Sequence, residues 1–175
     1  ILAAIAPRLE TVKRFVLIED APAAVAPVDL AGEYEALLAA QSTDFAWPVF
    51  DEHTAAALCY TSGTTGNPKG VLYSHRSTVL HALASCMKDI LGLSSRECVL
   101  LIVPMFHACG WGVPYSAAMA GAKVVFPGAA LDGPSVCELL NHEECTLSMG
   151  VPTVWLGLLA HLDKHPESKP KHLKR

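Results

Sequence analysis

The chain contains 175 residues, of which 51% are hydrophobic and 17% charged, and its formal net charge is −4. This composition excludes an intrinsically disordered chain and supplies enough apolar surface for a folded core. The negative net charge provides no basic surface for nucleic acid, so no nucleic-acid partner is predicted. A locally basic stretch at residues 164–175 is expected to be a solvated or frayed terminus.

The cysteines and apolar stretches indicate a reduced protein without a membrane segment. Six cysteines are scattered without CxxC pairs, and the histidines show no metal-ligand spacing, so reduced thiols and a cytoplasmic location are predicted. The longest apolar stretch, residues 108–126, is interrupted by glycines, Pro114 and Lys123, which is a poor transmembrane span. The chain starts at Ile1 without the features of a signal peptide and is expected to come from the middle of a longer gene.

The first third of the chain predicts a few short elements. Residues 1–9 are expected to end a helix, and residues 14–18 to form a short buried strand. A connector rich in proline and alanine, Ala21–Asp29, precedes Leu30–Gln41, where apolar residues at helical spacing predict a helix. A polar link over residues 42–53 then leads to the next strand.

The strand Ala55–Tyr60 leads into a segment whose composition is typical of a phosphate-binding loop. The segment reads Tyr60-Thr61-Ser62-Gly63-Thr64-Thr65-Gly66-Asn67-Pro68-Lys69-Gly70-Val71. Glycines let backbone N–H groups converge on an anion, hydroxyl groups add donors, and Lys69 supplies a compact positive charge. We therefore predict a site for a polyphosphate here.

This loop does not match the Walker A pattern GxxxxGK[ST]. Its lysine follows Pro68 rather than a glycine, and no serine or threonine comes after it. Pro68 lacks an N–H group and disfavours helix for the residue before it. The loop is therefore predicted to return into a second strand, Gly70–Tyr73.

The rest of the chain alternates helices and strands. Ser74 is the predicted N-cap of a helix from His75 to about Leu91, with an apolar stripe that includes Val79 and Leu83, and Gly92 is expected to end it. The unbroken apolar run Cys98–Val103 predicts a strand covered on both faces. The further predictions are helices at 112–120, 134–143 and 153–161 and strands at 122–126 and 145–149.

This alternation predicts an α/β fold with a mainly parallel sheet flanked by helices. Ligands of such sheets bind outside the carboxyl ends of the strands. The segment Pro104-Met105-Phe106-His107-Ala108-Cys109-Gly110-Trp111-Gly112 follows a predicted strand. Its His107 and Trp111 are therefore candidates for the wall of a pocket.

The two segments resemble signatures of one known family. YTSGTTGNPKGV resembles the phosphate-binding signature of the adenylate-forming (AMP-binding) superfamily, and PMFHACGWG is similar to the second signature of its fatty-acyl-CoA synthetases. The resemblance implies that residues 1–175 are part of a large N-terminal AMP-binding domain, with its C-terminal part and a small C-terminal domain absent. Ser74–Arg76 and Gly150–Thr153 also resemble family stretches. For the first, a structural role at the start of a helix is the favoured explanation, and for the second a helix start at Pro152 is an explanation without function.

The resemblance implies an acyl-CoA synthetase that activates a medium- or long-chain fatty acid through an acyl-adenylate, with ATP, Mg²⁺ and coenzyme A. Lys69 and His107 would be the catalytic residues, Thr61 would contact the metal, and His107 and Trp111 would line the acid pocket. The residues implied to bind the nucleotide are Thr61, Ser62, Gly63, Thr64, Thr65, Gly66, Lys69 and Gly70. The isolated chain is expected to be inactive, and a homodimer of the full-length enzyme is an open expectation.

The sequence is also compatible with three alternative functions. The chain could belong to a P-loop-like NTPase or phosphate-binding module, which would turn over ATP without a carboxylic acid. It could be a non-catalytic interaction domain that retains a relic of the loop. Within the resembled family, the substrate could instead be an aryl, amino or thioether acid.

Overall fold

The computed structural model describes residues 2–18, 28–61 and 66–175. The chain divides into two compact units, Ile1–Val49 and Phe50–Arg175. Most of the predicted connector Ala21–Asp29 lies outside the described residues.

The described residues of the first unit form short elements. Helix α1 (Leu2–Ile5) continues as a 3-10 turn (Ala6–Arg8), in agreement with the helical end predicted there. Strand β1 (Phe15–Leu17) pairs in parallel with β2 (Leu30–Glu33), and helix α2 (Tyr34–Ala39) follows.

The helix predicted over residues 30–41 begins later than expected. Its first four predicted residues form β2 instead, because their backbone groups pair with β1. Glu33 then caps α2: its carboxylate oxygens accept hydrogen bonds from the N–H groups of Glu35 and Ala36, each at 3.0 Å. The prediction from the helical spacing of apolar residues therefore placed the start of this helix four residues too early.

The strand predicted at residues 14–18 is present, but the prediction that it is buried was wrong. Val16 is 44% exposed and Ile18 is 77% exposed. β1 belongs to a two-stranded sheet, and none of the residues of its two strands is fully buried.

The second unit carries an antiparallel hairpin and a three-stranded parallel sheet with helices. In chain order its elements are β3 (Ala55–Tyr60), β4 (Gly70–Ser74), α3 (His75–Cys86), β5 (Cys98–Leu101), a short turn α4 (Ala108–Trp111), α5 (Val113–Ala120), β6 (Lys123–Val125), α6 (Gly133–His142), β7 (Leu147–Met149), α7 (Pro152–Leu162) and a 3-10 turn (Pro166–Ser168). The fold is α/β, as the alternation of elements predicted.

The parallel sheet has the order β6-β5-β7, with β5 in the middle. Val99 is level with Val124 on one side and with Leu147 on the other. All four residues of β5 are buried. The unbroken apolar run of the sequence thus corresponds to the central strand.

The side chains of β5 and the two residues after it alternate between two hydrophobic clusters. Cys98, Leu100 and Ile102 pack with residues of α6 and α7. Val99, Leu101 and Val103 pack with Val113 at the start of α5 and with the segment before β5. Both faces of the strand are therefore covered, which confirms the prediction.

Helix α3 differs from its prediction in length and in the face that it buries. Ser74 caps it as predicted, with its hydroxyl accepting from the N–H of Ser77 at 3.1 Å. The helix ends at Cys86 rather than near Leu91, because the next residue has an extended backbone.

The predicted apolar stripe of α3 was wrong as well. Val79 is 49% exposed and Leu83 is 52% exposed, whereas Ala82 and Ser85 are buried. Helix α5 also buries small residues, Ser116 among them. Two helices with small residues can approach closely, so the small face of α3 packs inward in place of the large apolar one.

The remaining helices and strands lie within a few residues of their predicted positions. α6 starts at an N-cap that the sequence reading did not name, Asp132. α6 and α7 approach each other at two glycines, because a Cβ atom added to Gly133 would lie 2.2 Å from the carbonyl oxygen of Gly157. Only glycine fits this contact.

The basic stretch at residues 164–175 is docked at its end, so the prediction of a solvated or frayed terminus was wrong there. The Ser148 N–H donates to the Arg175 carbonyl oxygen at 3.0 Å, and the Arg175 N–H donates to that of Thr146 at 3.3 Å. The Arg175 guanidinium donates to the Leu91 carbonyl oxygen at 2.6 Å. Arg175 therefore extends the ladder of β7.

Candidate functional site

The predicted phosphate loop connects the two strands of a hairpin. β3 and β4 are antiparallel, with Tyr60 level with Gly70. Beyond the strands, the Thr61 N–H donates to the Lys69 carbonyl oxygen at 2.9 Å, and the Lys69 N–H donates to the Thr61 hydroxyl at 3.3 Å. The predicted strand, loop and strand are confirmed, and a Walker loop, which runs into a helix, is not the arrangement found here.

The tip of this loop, Ser62, Gly63, Thr64 and Thr65, lies outside the described residues. The described part is open to solvent: Thr61, Gly66, Lys69 and Gly70 are all exposed. Gly66 has a φ of +149°, and a Cβ atom added there would have no neighbour within 4 Å. The described part of the hairpin thus exposes Lys69, with its ammonium group, and Thr61, with its hydroxyl group, and these groups suit a polyphosphate.

The second signature segment forms a left-handed turn. From Ala108 to Gly112 the φ angles are 45°, 55°, 62°, 53° and 71°. The N–H of Gly110 donates to the His107 carbonyl oxygen at 3.0 Å. A left-handed turn made largely of non-glycine residues is strained, and such strain is concentrated at functional sites.

A cavity of about 440 Å³ lies between this turn and helix α3. The first wall is the end of β4 with one face of α3, and the second wall is α4 with the start of α5. The cavity is lined by Tyr73, Ser77, Thr78, His81, Ala108, Cys109, Trp111, Gly112 and Tyr115. Its size is that of a small-molecule site.

The predicted site residues of the second segment have different positions relative to this cavity. Trp111 lines it and is 38% exposed. His107 is exposed and stands one residue before the cavity wall, which begins at Ala108. The roles assigned to both residues remain predictions.

Gly112 lies directly against His81. A Cβ atom added to Gly112 would lie 2.5 Å from Nδ1 of His81 and 2.7 Å from its Cε1. The imidazole ring therefore rests on the backbone of the turn, and the two walls of the cavity meet at this contact.

A pair of cysteines joins the hairpin to the turn. The Sγ atoms of Cys59 on β3 and Cys109 on α4 are 3.7 Å apart. Burial raises the pKa of the Cys109 thiol, and the neighbouring Cys59 raises that pKa further. Because Cys59 stands two residues before Thr61, this contact places the cavity wall beside the stem of the phosphate loop.

The segment after β4 begins helix α3, as predicted, and its side chains make contacts rather than being merely solvated. The guanidinium of Arg76 donates to the carboxylate of Glu52 at 2.5 Å. The ring of His75 packs against Phe50 with the ring centroids 4.5 Å apart. These contacts fix the start of α3, on which one wall of the cavity stands.

The sequence reading missed the residues on α3 that line the cavity. Ser77, Thr78 and His81 are spaced at i, i+1 and i+4, which places them on one face of the helix. Their position in the first two turns after the predicted N-cap, Ser74, is the feature of the sequence that could have identified them as site residues. The apolar residues of α3, on which its prediction was based, lie on a different face.

Neither a metal cluster nor a membrane span is found in the part of the chain that the structure describes. Residues 2–18, 28–61 and 66–175 contain no group of three or more His, Cys, Asp or Glu side chains placed to hold a metal ion. Every helix in these ranges is too short or too polar to cross a lipid bilayer.

Comparison with known proteins assigns the family. Residues 2–175 match the model of the AMP-binding enzyme family. The chain belongs to this family. The match agrees with the resemblance found in the two signature segments and covers nearly the whole sequence.

The chain is similar to two AMP-binding enzymes that are named as CoA ligases. The 3-methylmercaptopropionyl-CoA ligase of Ruegeria lacuscaerulensis is 52% identical over 94% of this chain and 31% of its own length. The medium-chain-fatty-acid–CoA ligase of Ectopseudomonas oleovorans is 53% identical over 91% of this chain and 30% of its own length. The chain thus spans about a third of the length of these curated relatives.

A solved structure of the same family has a similar fold. The long-chain-fatty-acid-CoA ligase of Archaeoglobus fulgidus superposes with a TM-score of 0.65 and 28% sequence identity. The match covers 74% of this chain and 26% of that one.

Proposed function

We propose that the full-length protein containing this chain is an ATP-dependent acyl-CoA synthetase, of which residues 1–175 are part of the AMP-binding domain. The observation that carries the proposal is the contact between the phosphate hairpin and the wall of the cavity, with Cys59 and Cys109 in contact at 3.7 Å. A carboxylic acid held in the cavity would lie next to a nucleotide held by the hairpin.

The first half-reaction would be the attack of the acid's carboxylate on the α-phosphorus of ATP, with pyrophosphate leaving. The attacking oxygen is already an anion, so the protein needs no general base for this step. What it must supply is alignment and the neutralisation of phosphate charge. Lys69 is exposed at the stem of the hairpin, in a position to neutralise the departing pyrophosphate.

Mg²⁺ would supply further neutralisation of the phosphate charge when bound. The described residues offer the Thr61 hydroxyl as a contact, and its oxygen accepts the Lys69 N–H at 3.3 Å. A hydroxyl and phosphate oxygens are the ligand type that Mg²⁺ prefers. The role of Thr61 in holding the metal is part of the proposal.

The acid is proposed to be a medium- or long-chain fatty acid. Two of the three polar side chains of α3 that line the cavity are occupied: the Ser77 hydroxyl exchanges hydrogen bonds with the backbone of Ser74, and the Thr78 hydroxyl donates to the same carbonyl oxygen at 3.0 Å. Trp111, Ala108 and the edge of Gly112 offer apolar contacts for an alkyl chain, beside the rings of Tyr73, His81 and Tyr115. Coenzyme A would then accept the acyl group on its thiol.

A short thioether acid is the second candidate, because a relative with 52% identity is named a 3-methylmercaptopropionyl-CoA ligase. Neither the Ruegeria lacuscaerulensis relative nor the Ectopseudomonas oleovorans relative is named for an aryl or an amino acid. Acid-dependent ATP–pyrophosphate exchange, run with a panel of fatty, thioether and aryl acids, separates these classes. Exchange or hydrolysis without any acid would instead indicate an NTPase.

The decisive variants are Lys69→Ala and Gly66→Val in the full-length protein. We expect Lys69→Ala to lower the rate of ATP–pyrophosphate exchange by about 100-fold, the usual effect of losing one transition-state contact. Gly66→Val should also lower it, because valine does not tolerate the φ of +149°.

Lys164→Ala is the matched control, since Lys164 is also exposed but follows α7. It should exchange at the wild-type rate. If Lys69→Ala and Gly66→Val exchange at the wild-type rate, the loop does not bind the phosphates of ATP as proposed. Exchange by the isolated 175-residue chain would contradict its proposed inactivity.

The cytoplasmic location and a homodimer of the full-length enzyme also remain proposals. Fractionation of cells and the solution mass of the full-length protein are the measurements that decide them.

A further inference from the structure

The chain contains two pairs of neighbouring cysteines that differ in their surroundings. The Sγ atoms of Cys59 and Cys109 are 3.7 Å apart, and those of Cys98 and Cys145 are 3.8 Å apart. The second pair is buried in the core, with Cys98 8% exposed and Cys145 fully buried. The first pair is only half-buried, and Cys109 lines the cavity.

We propose that Cys59 and Cys109 form a redox-sensitive dithiol site, whose oxidation by a peroxide to a disulfide ties the left-handed turn to strand β3. The sulfur atoms are in van der Waals contact and need to approach by about 1.7 Å to reach bonding distance. Small oxidants can reach Cys109 through the cavity, which this residue lines.

The chemistry balances with hydrogen peroxide as the oxidant. Peroxide converts one thiol to a sulfenic acid, and one water leaves. The sulfur of the other thiol then attacks this sulfur, the S–O bond breaks, and a second water leaves with the thiol's proton. The two cysteines are oxidised together by two electrons, and a thiol reductant reverses the step.

The structure indicates which side of the pair moves. Cys59 is held in the ladder between β3 and β4, where it is level with Val71. Cys109 stands in the strained turn, with a φ of 55°. Because the ladder holds one partner, the bond is expected to form by movement of the turn.

Movement of the turn would change the cavity. Ala108 and Trp111 belong to the same four-residue turn and line the cavity with Cys109. A displacement of about 1 Å at a binding site can lower a rate by 100-fold. Oxidation is therefore expected to lower the rate at which the enzyme activates the acid. This expected loss of activity rests on the proposed function, whereas the formation of the disulfide does not depend on it.

The test treats the full-length protein with hydrogen peroxide and maps its peptides by mass spectrometry without reduction. We expect a linked pair of peptides carrying Cys59 and Cys109, which separates on addition of dithiothreitol. The Cys98 and Cys145 pair, with nearly the same sulfur separation, should stay reduced and is the internal control. Absence of the Cys59–Cys109 link, or linkage of the buried pair at the same rate, would overturn the proposal.

Activity is the second measurement. The kcat/KM for the acid should fall by about tenfold or more on oxidation and recover on reduction. The kcat/KM of Cys59→Ser should no longer change on treatment with peroxide, whereas that of Cys86→Ser should still fall. If the disulfide forms but kcat/KM does not change, the proposed effect of oxidation on activity is wrong. If the reduced enzyme does not adenylate any acid, the proposed function is wrong, but a Cys59–Cys109 disulfide found by mass spectrometry still stands.

Discussion

Gly112 is the residue on which the geometry of the cavity depends most directly. Its φ of +71° belongs to the left-handed region, and the ring of His81 occupies the space where a Cβ atom would stand. Two separate requirements, backbone conformation and close contact, therefore select glycine at this position. Gly128 has a similar φ of +64° but no atom within 4 Å of an added Cβ.

These two glycines allow the requirements to be measured separately. Gly128→Ala should cost about 1 to 2 kcal/mol of unfolding free energy, the penalty of the left-handed conformation alone. Gly112→Ala should cost about 0.5 to 1.5 kcal/mol more, because the His81 ring must leave its rotamer. Urea unfolding of both variants measures the difference.

A double-mutant cycle identifies the source of that excess. In a His81→Ala background the ring is gone, so Gly112→Ala should cost no more than Gly128→Ala. An excess that persists without the ring would show that His81 is not its cause.

At the scale of elements, capping residues decide where helices begin. Asp132 caps α6: one carboxylate oxygen accepts the Ser135 N–H at 3.0 Å, and the other accepts the Ser135 hydroxyl at 2.9 Å. These hydrogen bonds, the backbone one foremost, hold the pKa of the Asp132 carboxyl below its ordinary value. The ionised form is therefore favoured in the folded state.

This shift has a definite sign in the pH dependence of stability. A carboxyl whose pKa is lower in the folded state stabilises the fold above its unfolded pKa, and the contribution is lost as pH falls through the folded value. Asp132→Asn keeps an oxygen acceptor but does not titrate. The wild-type protein should unfold at a higher temperature than Asp132→Asn near neutral pH, and the gap should narrow below about pH 5.

Ser135→Ala is the matched control for this prediction. It removes the hydroxyl donor and leaves the stronger backbone donor in place, so its melting temperature should depend on pH nearly as that of the wild type does. A gap between wild type and Asp132→Asn that stays constant from neutral to acid pH would refute the assignment to the Asp132 charge.

At the scale of the whole molecule, the central strand makes the second unit one packed body. Val99 and Leu100 are both fully buried and belong to different hydrophobic clusters. The hydrophobic clusters on the two faces of the sheet thus each contain one of these two adjacent residues of β5. A sheet covered on a single face would leave one of them exposed.

Truncation of each residue tests the two-sided cover. Leu100→Ala should lower the free energy of unfolding by about 2 to 5 kcal/mol, and Val99→Ala by about 2 kcal/mol. Val16→Ala is the control on an open strand, since Val16 is 44% exposed, and should cost less than about 1 kcal/mol. A neutral Val99→Ala, measured by urea unfolding, would mean that one face of β5 is not covered.

Local patterns in the sequence predicted much of this architecture. The buried run at residues 98–103, the return of the phosphate loop into a strand and the cap at Ser74 depend on neighbouring residues only, and all three are confirmed. The family also follows from local signatures, because each occupies a short continuous segment. The residue roles at Thr61, Lys69, His107 and Trp111 stay predictions.

The errors arose where distant segments compete for the same residues. Leu30–Glu33 has helical spacing but pairs with β1. The apolar side chains of α3 remain exposed, since its small residues pack inward. In both cases a partner far away in the sequence outweighed the local preference.

The sequence by itself determined the α/β class, the family and the two signature segments, because each is encoded by adjacent residues. The tertiary structure alone decided that Cys59 meets Cys109 and that His81 rests on Gly112. These contacts join residues 50 and 31 positions apart. They depend on how the hairpin, α3 and the left-handed turn pack together, which no local pattern records.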